Sequence, residues 1–206
     1  MPTALEKVLQ MKIVPVVAIH DAGHSDALAD ALIEGGLPCA EITFRTAAAA
    51  DAIRTMSKRG DMLVGAGTVL TIDQVKLAVD AGATFMVAPG LNPRVVGYCR
   101  ERNIPIAPGV ATPTDIETAL DLGLKILKYF PAEAFGGLKT LKAISAPYTA
   151  LKFIPTGGIN ADNVIAYLEH PKIVACGGSW MVKSALIAAG RFDKITIFTR
   201  EAVNMV

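Results

Sequence analysis

Little in this sequence could grip a metal ion or build a disulfide scaffold. It has three cysteines, Cys39, Cys99 and Cys176, and three histidines, His20, His24 and His170, all scattered singly. None falls at the spacing of a zinc site or a Cys-x-x-Cys motif. The thiols are odd in number, far apart and set in apolar surroundings, so they read as reduced core residues of a cytoplasmic protein. Charge of one sign is lacking too, since 20 basic and 19 acidic residues leave a net charge of +1. With the basic residues dispersed, neither a nucleic-acid backbone nor a membrane surface is an expected partner. Apolar residues make up 52% of the chain, yet their longest runs are strand-sized, far short of the ~20 residues a membrane-crossing helix needs. The opening stretch MPTALEKVLQMKIVPVVAIH lacks a basic n-region, a long h-region and a cleavage site, so no secretory leader is expected. Nor is there a linker or low-complexity segment, and the 206 residues are expected to form one domain, 1–206.

What the chain does have is a repeated unit. Short apolar runs recur about every 20 to 26 residues: IVPVVAI (13–19), CAEITF (39–44), LVGAGTV (63–69), FMVAPG (85–90), IPIAPGV (104–110), ILKYFP (126–131), LKFIPTGG (151–158) and IVACGGSW (173–180). Between them lie helical patterns such as SDALADALIEGG, TIDQVKLAVDAG and TDIETALDLG. Several open on a Ser, Thr or Asp of N-cap type and several close on a glycine suited to the C′ position. IEGGLPCAEI, VDAGATFMVA and LDLGLKILKY repeat one device: helix end, glycine, strand. Strictly alternating strands and helices imply parallel strands joined by right-handed crossovers. Eight such units predict a (β/α)₈ TIM barrel, with residues 2–11 forming a helix over its bottom. A doubly wound open sheet is the alternative, but no strand is followed by the GxGxxG fingerprint of a dinucleotide site.

In such a barrel function gathers at the C-terminal strand ends, and alternation along each strand says which side chains point inward. In the second run Cys39, Glu41, Thr43 and Arg45 share one face, opposite Ala40, Ile42 and Phe44. Glu41 and Arg45 are therefore predicted inside, with Arg45 at the mouth. In the sixth run Ile126, Lys128 and Phe130 share a face, opposite Leu127 and Tyr129. Lys125, of opposite parity and at the strand's start, is predicted to be solvated at the bottom. Thr68 sits among glycines that would let a ligand approach the backbone. The seventh run ends in Thr156, Gly157 and Gly158, and the eighth in Gly177, Gly178 and Ser179. Glycine-rich ends on the last two strands are where barrels build phosphate sites from backbone N–H groups. Each feature also has a plain reading: a buried Glu–Lys pair can be structural, and paired glycines can be ordinary tight turns.

A lysine desolvated in an apolar interior loses proton affinity and becomes a nucleophilic amine, whose natural electrophile is a carbonyl. The resulting protonated imine is an electron sink for carbon–carbon cleavage. Such a cycle needs one proton shuttle, and Glu41 is the carboxylate placed for it. Arg45 and Thr68 could hold the carboxylate of a 2-oxo acid, and the Phe130 ring could wall the imine from water. The competing reading is a non-catalytic barrel that binds a phosphorylated metabolite, with Lys128–Glu41 as a structural ion pair.

The motifs EITFRT, VGAGTVL, APG, PGVATPT, KYFPAE, FIPTGGI and GGSW, in this order across nearly the whole chain, resemble the 2-keto-3-deoxy-6-phosphogluconate (KDPG) aldolase family, grouped with 4-hydroxy-2-oxoglutarate (KHG) aldolase. The resemblance implies a class I aldolase with Lys128 as the Schiff-base lysine and Glu41 as the acid/base. It further implies that Arg45, Thr68 and Thr156 surround a pyruvate portion, and that Gly157, Gly158, Gly177 and Ser179 surround a phosphate. Pro89 and Phe130 line the pocket. A homotrimer without cofactor or metal, acting on a 2-oxo acid and a phosphorylated aldehyde, is the family expectation. Two positions depart from the pattern. Tyr129 replaces a more usual phenylalanine and is predicted to face the helices, and Phe135 stands where a smaller or polar residue is common. His20 and Asp21, after the first strand, are placed either to touch substrate or to serve the loop.

Overall fold

The computed structural model describes residues 2–206. Thr3 opens the chain with a capping box, its hydroxyl accepting from Glu6 N–H while the Glu6 carboxylate accepts from Thr3 N–H. This starts helix α1 (Ala4–Gln10), whose Leu5, Val8 and Leu9 are buried. Strand and helix then alternate as β1 (Ile13–Val17), α2 (Ser25–Glu34), β2 (Cys39–Thr43), α3 (Ala49–Lys58), β3 (Leu63–Gly67), α4 (Ile72–Asp80), β4 (Met86–Val87) and α5 (Pro93–Glu101). The second half runs β5 (Ile106–Ala107), β6 (Gly109–Val110), α6 (Pro113–Asp121), β7 (Ile126–Tyr129), α7 (Gly137–Ser145), β8 (Lys152–Pro155), α8 (Val164–Leu168), β9 (Cys176–Gly178), α9 (Ser184–Ala188) and α10 (Phe192–Asn204).

The helix-to-strand glycines behave as their spacing predicts. Gly36, Gly82 and Gly123 all take positive φ, at 90°, 98° and 69°. The residue after each donates five residues back: Leu37 to Leu32, Ala83 to Ala78 and Leu124 to Ala119. That is the Schellman pattern, which satisfies the last helical carbonyls and turns the chain toward the next strand. Asn103 (φ 55°) ends α5 in the same way, with Ile104 N–H donating to the Cys99 carbonyl. Thr71 and Thr112 cap α4 and α6 with full capping boxes. Ser25 does not cap α2. A short 3₁₀ turn, Ala22–His24, precedes that helix and is itself capped by Asp21, leaving the Ser25 hydroxyl buried without a partner among the described residues.

All strand pairs are parallel, and they form one curled layer in two hydrogen-bonded sheets, β5-β4-β3-β2-β1-β9 and β6-β7-β8. The fifth run is split into β5 and β6 at Pro108, which has no N–H for the ladder. Its carbonyl still accepts from Lys128 N–H at 2.9 Å. Beyond β8, isolated bridges Phe153–Ile173 and Thr156–Gly177 reach toward β9. Hence, among the described residues, nine short strand segments replace the eight longer runs read from sequence. The helix predicted for residues 2–11 is α1, and its Leu5, Val8 and Leu9 meet Val14, Phe85 and Ile154 inside the curl. Among the described residues no helix is long and apolar enough to cross a membrane.

Candidate active site

The register of β2 on β3 pairs Glu41 with Gly65 and Thr43 with Gly67. Gly65 and Gly67 leave two gaps in the inner face of β3. A Cβ at Gly67 would lie 2.2 Å from Glu41 Oε1, and one at Gly65 would strike the Phe85 ring at 2.2 Å. The sequence suggests that these glycines admit a ligand to the backbone. Instead, their missing side chains make room for Glu41 and Phe85. So cleared, the Glu41 carboxylate meets Lys128, whose Nζ donates to Glu41 Oε1 at 3.3 Å. The side chains are 4% and 6% exposed, 87 residues apart in sequence, and their counterions are each other. Below them lies the apolar packing of α1 with β1, β4 and β8. Above, the Phe130 ring centroid lies 5.2 Å from Lys128 Nζ, within cation–π range. Lys125 is exposed, as its parity predicts.

Farther up β2, the Thr43 hydroxyl donates to the Val17 carbonyl at 2.7 Å and accepts from Arg45 Nε at 3.1 Å. Arg45 itself is exposed at the strand end, held there through its Nε. Thr43 was not among the sequence candidates. Its shared face with Glu41 and Arg45 is the signal that could have found it. Thr68 is half-buried at φ 56° just after β3, and Thr156 is buried after β8, its hydroxyl donating to the Ile154 carbonyl at 3.4 Å. Pro89 is half-buried above β4, its carbonyl over Gly109, where a Cβ would approach to 2.1 Å.

The paired glycines are also filled by the protein's own atoms. Gly177 lies under the Thr156 side chain, Gly178 under the Trp180 ring, and Gly158 under Glu133. What their strand ends offer a ligand is backbone N–H. Among the described residues the N–H groups of Gly158 and Ser179 take no protein partner, and Ser179 is exposed. Asp21 serves the loop as a cap, donated to by Gly23 N–H at 2.8 Å. His20 is exposed and lines a small recess with Ala18, His24 and Ser184. Among the described residues no three His, Cys, Asp or Glu side chains gather as a metal site.

A family model described as KDPG and KHG aldolase matches residues 5–198. The chain belongs to that family. It is 50% identical over 203 residues to the 2-dehydro-3-deoxy-phosphogluconate aldolase of Haemophilus influenzae, covering 98% of this chain and 96% of that one. The enzyme of the same name from Treponema pallidum is 46% identical over 207 residues, covering 100% and 99%. Among solved structures, a KDPG aldolase from Legionella pneumophila, with pyruvate captured at low pH as a covalent carbinolamine intermediate, superposes with a TM-score of 0.93 at 35% identity, covering 97% of this chain and 98% of that one.

In this aldolase the two departures noted in the sequence are joined. Tyr129 faces away from the interior and is fully buried, and its hydroxyl donates to the Phe135 carbonyl at 3.0 Å. Phe135 ends a 3₁₀ turn, Glu133–Phe135, and is 49% exposed.

Proposed function

We propose that this aldolase reversibly splits 2-dehydro-3-deoxy-6-phosphogluconate into pyruvate and D-glyceraldehyde 3-phosphate through a Schiff base on Lys128. The observation that carries this reading is the sealed Lys128–Glu41 pair in a family whose Legionella member holds pyruvate as a covalent carbinolamine. Lys128 Nζ, after giving a proton to the pair's carboxylate, attacks the C2 ketone. The same proton then passes to the carbinolamine hydroxyl, which leaves as water, giving the protonated imine and restoring the Glu41 carboxylate. Glu41, through a water, takes the proton of the C4 hydroxyl as the C3–C4 bond breaks, and its electrons pass into the imine to make an enamine. Glu41 returns a proton to C3, and hydrolysis frees pyruvate and Lys128.

Arg45, steadied by Thr43, pairs with the substrate carboxylate in this scheme, and Thr68 and Thr156 bracket the pyruvate portion. Pro89 and Phe130 wall the pocket. Gly157, Gly158, Gly177, Gly178 and Ser179 present the backbone that receives the phosphate, a role supported by the unpaired N–H groups of Gly158 and Ser179. The cycle uses no cofactor. A second reading keeps the mechanism and changes the substrate to 4-hydroxy-2-oxoglutarate or the galactonate epimer, and the family description names both KDPG and KHG.

The same proposal takes the two sheets as parts of one closed (β/α)₈ barrel. Its supports are the unbroken chain through Pro108 and the bridges beyond β8. We further read the enzyme as a cytoplasmic homotrimer. Three buried free thiols support the compartment, and exposed Leu70, Leu77, Val79 and Leu120 would suit a subunit contact.

Borohydride reduction with pyruvate, followed by peptide mass mapping, tests the chemistry. A reduced pyruvyl adduct on Lys128 is the expected result. An adduct on another lysine, or none, would overturn the mechanism.

A further inference from the structure

We propose that Glu133 and Tyr167 form a positioning pair that aims the Thr156–Gly158 turn at the substrate's phosphate. This rests on the phosphate reading above and names residues that would govern it. Glu133 follows β7 by four residues, on the segment that crosses the end of β8. Ala132 N–H donates to the Thr156 carbonyl at 2.8 Å, and Glu133 N–H donates to the Gly157 carbonyl at 3.1 Å. In a planar trans peptide the C=O and the following N–H point in opposite directions. Fixing the Gly157 carbonyl toward Glu133 therefore turns the Gly158 N–H away from this segment, and among the described residues that N–H has no protein partner.

The side chain of Glu133 completes the brace. Gly158 has φ 81°, and a Cβ there would lie 2.6 Å from both Cβ and Cγ of Glu133, so the glutamate stem lies flat against the turn. The carboxylate is held from the other side, where the Tyr167 hydroxyl of α8 donates to Glu133 Oε1. Tyr167 is buried. Burial first, and the Glu133 carboxylate second, hold its hydroxyl pKa well above the usual tyrosine range, so it stays a donor. On the exit side the Asn163 side chain donates to the Gly158 carbonyl at 3.0 Å. All three carbonyls of the turn are thus held by the protein, and that of Gly157 is held by Glu133, whose side chain Tyr167 anchors.

Tyr167→Phe, Glu133→Ala and Glu133→Gln test the pair, with fold checked by circular dichroism. For Tyr167→Phe and Glu133→Ala we expect KM for the phosphorylated 2-oxo acid to rise about tenfold, with kcat held within about twofold. Borohydride trapping of pyruvate on Lys128 should proceed at the wild-type rate. Glu133→Gln keeps an oxygen that accepts from Tyr167 and should stay within about threefold of wild-type KM. The proposal is overturned if KM does not move. It is equally overturned if kcat and trapping fall while KM holds, or if Glu133→Gln is as damaged as Glu133→Ala. In the wild type, glyceraldehyde and glyceraldehyde 3-phosphate are compared as acceptors. Equal KM values there would remove the phosphate reading itself, and this pair with it, before any variant is made.

Discussion

Lys125 and Lys128 lie three residues apart, at the start and near the end of one strand run, yet the first is exposed and the second is 6% exposed. The strand changes environment between them. At its N-terminal end it meets solvent beside an interior packed with Leu5, Val8 and Leu9 of α1. Toward its C-terminal end it meets Glu41, Phe130 and the strand-end glycines. One end of the curled sheet is closed by apolar packing, which supplies stability. The other holds a desolvated ion pair, which is costly to build and contributes little net stability. A pair kept on such terms points to chemistry, and its removal separates the two roles.

Lys128→Met should therefore show the largest effect, a fall in turnover of roughly 10⁴-fold or more. It should also strand Glu41 as a buried, unpaired charge, at a cost of about 3–5 kcal/mol in thermal or denaturant unfolding. Adding Glu41→Gln removes that charge. The double variant should recover most of the lost stability and none of the turnover. If activity per folded molecule survives in Lys128→Met, the pair is structural and the contrast between the two ends collapses.

The bottom should answer in the opposite way. Leu9→Ala deletes packing under the ion pair and is expected to cost about 2–5 kcal/mol of stability. Pyruvate should still be trapped on Lys128 in the folded protein. Loss of trapping without loss of stability would show that the plug tunes the lysine directly.

Much of this arrangement was legible from strand parity and glycine spacing, because both are short-range rules. Parity alone separates Lys125 from Lys128 and turns Glu41 inward, and the three repeated glycines all adopt the left-handed conformation expected of helix ends. Other features depend on partners distant in the chain. Nothing near Gly67 indicates that its space belongs to Glu41, because that follows from the β2–β3 register. Glu133 and Tyr167 are 34 residues apart, and no local pattern links them. The failed cap at Ser25 has a local cause, since Asp21, four residues earlier, caps the 3₁₀ turn that leads into the helix. Asn103 could have been read, as asparagine is the usual substitute for glycine at a helix end.

The smallest effect concerns the thiols, which lie in the packed layer and outside the proposed chemistry. Burial pushes Cys39 and Cys176 up to about 12 and Cys99 up to about 11, from an ordinary value of 9.0. The folded state thus keeps its thiol protons at pH values where the unfolded chain loses them. Their contribution is nil below pH 9, and it destabilises the fold progressively as pH rises from 9 toward 12. At pH 8 the native protein should react with iodoacetamide at a small fraction of the rate in denaturant, where all three cysteines are accessible thiols with ordinary pKa values. Raising the pH to 9 should speed the denatured reaction by increasing its thiolate fraction and leave the native protein slow. A native thiol that reacts at the denatured rate would place that residue in an opening segment rather than the packed layer, and peptide mapping would show which of the three it is.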